Sequence, residues 1–311
     1  MFYNNTFNKN RTWLENIAVR PNGDLLVTML SPTPSLYTLK RPYSTTREFS
    51  LLHTFDNATG LLGIAETNVD SFAMLSVQLT NTLQPVLGSS TIWGVSFQHD
   101  NMTTRKIATI LDVELPNGIT SVPGSSAVLV ADGRGGTITR CDTRAGASEV
   151  VLQRIESAPL PSEPESTGIN GIHYRKGYLY WSNSAFVSIF RIRVDEQGYP
   201  AADAEVETVG QIEASFIDDF AEDHVGTSWV ATNSDNTIVA LRSNSSSEVV
   251  AGEPAKFTLA GCTAAAFGRT PHDSRTLYVT TSGAIRAPIN GVTEPAKIVA
   301  VDTSKHRECE K

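Results

Sequence analysis

Apolar and polar positions alternate along this chain in short runs that end in Gly, Pro, Asn or Asp, the pattern of half-buried β-strands joined by tight turns. The clearest run is Gly168-Ile169-Asn170-Gly171-Ile172-His173-Tyr174, then Lys176-Gly177, then Tyr178-Leu179-Tyr180-Trp181-Ser182-Asn183. An extended segment leaves a polar residue, turns at a glycine and returns toward a second polar residue, which predicts one β-hairpin. The same phrase occurs six times, opening at Glu15, Leu62, Asn117, Asn170, Asp218 and Cys262, so successive copies stand 44–55 residues apart. That period matches a blade of four strands, and in five of the copies two further strands follow the hairpin, as at Leu36–Leu39 and Leu51–Phe55.

The expected fold is therefore all-β, a six-bladed β-propeller with four-stranded antiparallel blades, formed as a single domain over residues 1–311. Blade six lacks a fourth strand of its own, and a segment between Phe2 and Trp13 is expected to supply it and close the ring. Residues 158–167, rich in Pro, Ser and Glu, read as an inter-blade loop because the repeat resumes in phase directly after them. Residues 304–311 read as a charged, flexible tail.

Composition narrows the partners. With 40% hydrophobic and 19% charged residues, the chain can build a large core and is no disordered polyelectrolyte. A net charge of −8 argues against nucleic acid and anionic membrane surfaces, which need a basic footprint, and no apolar run reaches the ~18–20 residues of a membrane span. Oligomeric state leaves no mark in the sequence. Cys141, Cys262 and Cys309 are widely spaced without a C-x-x-C pair, so the first two read as small buried hydrophobes. The amino end shows no secretory n- and h-region, which reads as cytoplasmic unless a signal segment was removed. Five N-x-[ST] sequons, at Asn4, Asn10, Asn57, Asn101 and Asn244, lean toward the secretory route, so localisation stays open.

Candidate chemistry follows from the repeat. Each hairpin turns at its Gly-rich end, so the residues that open the first strand and close the second gather at the opposite end. One expected ring is Glu15, Leu62, Asn117, Asn170, Asp218 and Cys262; a second is Thr28, Ser76, Asp132, Asn183, Asn233 and Ser282. Two carboxylates and two amides in one ring are oxygen ligands suited to Ca²⁺ or Mg²⁺, or hydrogen-bonding groups for a ligand, or caps on the blades. His173 is a candidate acid/base or a packed core histidine, and Phe186 a candidate pocket wall, while Trp93, Trp181 and Trp229 read as blade-packing aromatics. Gly133-Arg134-Gly135-Gly136 opens no helix and reads as a hairpin turn rather than a phosphate cradle.

The hairpins with Glu15, Asn117-Gly118, Asn170-Gly171 and Asp218 resemble the metal-binding positions of the senescence marker protein/gluconolactonase/strictosidine synthase-like propellers. The wording of Glu15–Arg20, Gly168–Ile172, Asp218–Ala221, Phe267–Arg269 and Leu277–Thr281 is similar to a fungal branch of that superfamily that includes secondary-metabolite hetero-Diels–Alderases. The resemblance implies Glu15, Asn170 and Asp218 as metal ligands, with Asn117 a ligand or substrate contact, in a lactonase whose Ca²⁺ or Mg²⁺ polarises the carbonyl. Leu115-Pro116 stands where those lactonases place a sugar-binding Arg, and Ile17 and Val19 where they place a Pro and a Trp, so a sugar lactone fits poorly. With Leu62 and Cys262 in the ring, the mouth suits a hydrophobic small molecule. The fungal branch implies a cofactor-free cyclase that couples a tropolone-derived quinone methide to a terpene alkene. Glu15, Asn117, Asn170 and Asp218 would be its catalytic groups, and Leu62, Asp132, His173, Asn183, Phe186 and Cys262 its substrate contacts. The alternatives are a divalent-metal-dependent lactonase or esterase and, third, a non-catalytic ligand-binding propeller.

Overall fold

The computed structural model describes residues 2–3, 11–80, 84–163 and 166–306. Its strands lie where the alternation places them, in six four-stranded antiparallel sheets, five built from consecutive strands and the sixth ordered with the Phe2–Tyr3 strand beside the last one. This is the all-β fold class of the six-bladed β-propeller. Among the described residues helical geometry is confined to two single 3₁₀ turns, at Ile155–Ser157 and Phe257–Leu259, and no helix is long and apolar enough to cross a membrane.

The chain forms two compact units: residues 1–54 with 212–311 hold sheets one, five and six, and residues 55–211 hold sheets two, three and four. In the sixth sheet Phe2 and Tyr3 pair with Val299 and Ile298, adding an outer strand to Ile298–Asp302. Inner strands are buried on both faces, as in Ala127–Asp132, whereas outer strands such as Ser148–Gln153 face water along much of their length. The sequence reflects this as continuous apolar runs inside and charged alternation outside.

Each unit has its own apolar cores between neighbouring sheets. In residues 55–211, Leu129, Ala131, Ile138, Ile169, Ile172 and Trp181 fill one. In the other unit Trp229, Ile238, Leu277 and Val279 fill a second, and Leu14, Val27, Tyr278 and Ile298 a third. Trp181 and Trp229 are fully buried, and their indole N–H groups donate to the Glu156 carbonyl at 2.9 Å and to Asp223 Oδ2 at 3.2 Å. Trp93 lies edge-on to Phe55 and donates to Ser76 Oγ at 2.9 Å. All three are blade-packing aromatics, as expected.

The register of five first strands is broken at the residues that open the repeats. Pairing skips Glu15, Leu62-Gly63, Asn117-Gly118, Asn170-Gly171 and Thr263, so each of these strands carries a bulge there. In sheet five Asp218 and Asp219 form the equivalent irregularity: the Asp218 N–H donates to the Ala231 carbonyl at 2.8 Å and the Ala231 N–H to the Asp219 carbonyl at 3.0 Å. A bulge re-aims side chains and lets the backbone crowd its neighbour. A Cβ on Gly63 would stand 2.7 Å from the Asn117 carbonyl oxygen, and one on Gly118 2.7 Å from that of Asn170. Residues 158–167 are pinned at both ends. Ser157 Oγ donates to the Gly136 carbonyl at 2.6 Å, and Gly168 packs so closely that a Cβ would be 2.5 Å from the Ala158 carbonyl carbon. Most of the 304–311 segment lies outside the described residues; Ser304 and His306 continue the chain in a hydrogen-bonded turn.

Candidate functional site

The bulge positions differ between the two units. In residues 55–211 the second bulge residue is Gly63, Gly118 or Gly171, and at Gly63 and Gly118 backbone packs on backbone. In the other unit the same slot holds Asn16, Asp219 and Thr263, whose side chains knit the bulges together. Asn16 Nδ2 donates to Asp219 Oδ2 at 2.8 Å, while Thr263 Oγ1 donates to the Leu14 carbonyl at 2.7 Å. The Asp219 N–H in turn donates to the Thr263 carbonyl at 3.0 Å. Thr28 Oγ1 accepts the Asn16 N–H at 3.0 Å, so a hydroxyl on the second strand replaces the ladder bond that the bulge breaks.

This frame presents Glu15 and Asp218, only 7% and 5% exposed. The Trp13 indole N–H donates to Glu15 Oε2, and Asn233 Nδ2 donates to Asp218 Oδ2 at 2.7 Å. Burial holds the Glu15 carboxyl well above the ordinary value of 4.5; the nearby charges of Asp218 and then Asp219 raise it further, while the Trp13 bond and Arg286 lower it. Two buried carboxyls this close cannot both ionise cheaply. A carboxyl that holds its proton more tightly than usual beside a second buried carboxyl is a combination that could serve as acid and base. At the margin, Arg286 is exposed on the loop that leads to the last strand, and its guanidinium stacks 3.9 Å from the centre of the Phe216 ring, two residues before Asp218.

Asn117 and Asn170 belong to the other unit. Asn170 is buried; its Nδ2 donates to Ser184 Oγ at 3.0 Å and its Oδ1 has no partner, an acceptor open to a ligand or water. Asn117 is half-buried, Leu62 is buried, and His173 is half-buried on the strand opposite Tyr180. Three of the expected substrate contacts make hydrogen bonds within the protein. Asp132 accepts the backbone N–H groups of Glu114, Leu115, Arg134 and Gly135, which makes it the clamp of its turn. Asn183 donates to the Glu156 and Ala158 carbonyls and accepts from Ala185 and Phe186, so all its capacity is spent on the loop. Cys262 is fully buried with its thiol donating to the Thr237 carbonyl, and burial pushes that thiol up to about 12. Phe186 packs, half-buried, against the core beside Trp181. Among the described residues no three His, Cys, Asp or Glu side chains are placed to hold one ion. Of the sequons, Asn57, Asn101 and Asn244 are exposed, while Asn4 and Asn10 lie outside the described residues.

Trp13, Asn16, Phe216, Asp219 and Arg286 join the site without having stood out in the sequence. A comparison of the six copies one position further on would expose Asn16 and Asp219, since three of the copies have Gly there. Phe216 and Arg286 sit on connections that carry no repeat signal.

A Sarocladium schorii protein named a hetero-Diels–Alderase is 30% identical over 305 residues, a match spanning 87% of this chain and 75% of that one. A Phoma protein of the same name is 30% identical over 295 residues, spanning 87% of this chain and 84% of that one. This chain belongs to the hetero-Diels–Alderase family. No family model matches it. Among solved structures, a calcium-binding regucalcin of Agrobacterium tumefaciens superposes with a TM-score of 0.63 at 14% identity, over 94% of this chain and 90% of that one, a likeness of fold. As a hetero-Diels–Alderase relative the chain is an enzyme of cyclase type with a small-molecule substrate.

Proposed function

We propose that this cyclase dehydrates a hydroxymethyl tropolone to a quinone methide and couples it to a humulene-type terpene alkene. The observation that carries the reading is the buried Glu15 carboxyl, whose hold on its proton is strengthened by burial and by the charge of Asp218. Asp218 takes the enol proton of the tropolone. The electron pair released forms the ring C=O, the exocyclic C=C forms, and the C–O bond to the hydroxymethyl group breaks. Glu15 protonates the departing hydroxide, which leaves as water. Passage of the proton from Asp218 to Glu15 restores both groups, so the step is redox-neutral and needs no external acid. The heterodiene then adds to the alkene, forming one C–C and one C–O bond with no proton moved. A hydrogen-bond donor on its oxygen lowers its energy, and confinement supplies the near-attack pose.

The test is adduct formation from the two substrates against the uncatalysed background. The enzyme should accelerate coupling and fix its stereochemistry, and should keep doing so in EDTA. Asp218→Asn and Glu15→Gln should each lower the rate ~10²–10⁴-fold, the range for general acid/base groups. Activity on a lactone that disappears in EDTA and returns with Ca²⁺, with no effect on coupling, would put the hydrolase reading in its place.

A further inference from the structure

Arg286 is the feature of this site that neither fold nor turn geometry requires. Its side chain is exposed, and its recorded contact is the face of Phe216, at 3.9 Å from the ring centre. No salt bridge involves it among the described residues. The other cations of this unit that bridge carboxylates are committed: Arg20 to Asp24, Arg242 to Glu248, and Lys297 to Glu294. Phe216 is 9% exposed, so it is a fixed platform, and it reaches Asp218 through a single residue, Ile217. Arg286 also lies close enough to Glu15 for its charge to be felt there. A guanidinium stacked on a buried ring keeps its in-plane N–H fork free, the geometry that recognises two adjacent oxygens.

We infer that Arg286 is the substrate-binding residue that selects an acidic hydroxy-enone, pairing its fork with the vicinal hydroxyl and carbonyl oxygens and with the enolate left when the hydroxyl proton passes to Asp218. This rests on the functional reading above and adds to it the residue that selects the tropolone partner. Asp218 and Asp219 would repel the enolate that forms in the site, so the cation is the counter-charge that lets an ionisable ring be held among carboxyls. Pairing would also hold the oxygen that becomes the heterodiene terminus, leaving the hydroxymethyl carbon toward Glu15. An apolar terpene alkene has no group for Arg286, which places the selection on one partner of the coupling.

The experiment measures binding, so it does not depend on turnover. Tropolone, under conditions where it is ionised, and neutral tropone are titrated calorimetrically into wild-type protein, Arg286→Gln, Arg286→Lys and Phe216→Leu, each checked for an unchanged melting temperature. Tropolonate should bind Arg286→Gln ~10–100-fold more weakly than wild type, the cost of a charge-assisted fork, while tropone binding stays within about twofold. Arg286→Lys and Phe216→Leu should fall between, since one keeps the charge without the fork and the other keeps the fork without its platform. Equal affinity of wild type and Arg286→Gln for tropolonate, or no binding of tropolonate by wild type, overturns the inference. If Arg286→Gln loses tropolonate yet the wild type shows no coupling activity, the anion site stands and the dehydration–cyclisation reading fails. If coupling proceeds normally in Arg286→Gln, the reverse holds.

Discussion

At the residue scale the site turns on the Glu15 proton. Its pKa is raised in the folded state, so the folded protein binds this proton more tightly than the unfolded chain does. The associated stability is fully present below the ordinary value of 4.5 and is lost as pH rises through the higher folded value. Glu15→Gln removes that titration. Its melting temperature relative to wild type should therefore be constant below pH 4.5, climb as pH rises from there through the higher folded value, and level off beyond it, measured by calorimetry across that range; parallel profiles for the two proteins would contradict a buried, proton-holding Glu15. The thiols give a second check. Burial raises Cys141 to about 11 and Cys262 to about 12, so neither should react with a maleimide in the native protein, and both should label on unfolding, as peptide mapping would show. Glu15 and Asp218 were legible because they open their repeats. Asp132 and Asn183 occupy repeat positions just as regular, but a carboxylate that clamps a turn and one that meets a ligand are the same letter in a sequence. Arg286 was not legible, because the loop that carries it belongs to no repeat and only stacking on Phe216 marks it.

At the element scale, alternation placed the strands to within a few residues, since each face of a blade imposes burial with a period of two. The bulges were hidden. An extra residue in one strand is visible only against its partner, and the pairing register is a property of the folded sheet. Their trace is the glycine that follows the opening residue in three copies, at Gly63 and Gly118 forced by backbone approach rather than by a left-handed turn. Gly118→Ala would drive a Cβ to 2.7 Å from the Asn170 carbonyl oxygen and 2.9 Å from the Ile172 nitrogen, both backbone atoms that cannot rotate away. We expect a loss of about 3 kcal/mol, read as a lower denaturant midpoint with unchanged slope. Gly124→Ala is the control for φ alone: its Cβ would meet nothing within 4 Å, so only the left-handed strain at φ +82° applies, about 1 kcal/mol. Equal losses for the two variants would mean that the close approach at the bulge is not what fixes glycine there.

At the scale of the whole molecule, six copies of one phrase made the fold readable, because a repeat of this length has few ways to bury its faces. The reaction was less readable. Opening carboxylates and amides can gather on an ion or divide into an acid and a base, and the same letters serve both. The proposed cyclase uses the second arrangement, with Glu15 as its acid and Asp218 as its base. The most direct measurement compares Glu15→Gln with wild type on two forms of the same substrate, the hydroxymethyl tropolone and a quinone methide released in situ from a precursor that needs no acid. With the alcohol, Glu15→Gln should be slower by at least ~10²-fold; with the pre-released quinone methide it should couple to the alkene at close to the wild-type rate and with the same stereochemistry. Equal losses on both forms, or none on either, would contradict Glu15 as the acid that expels water.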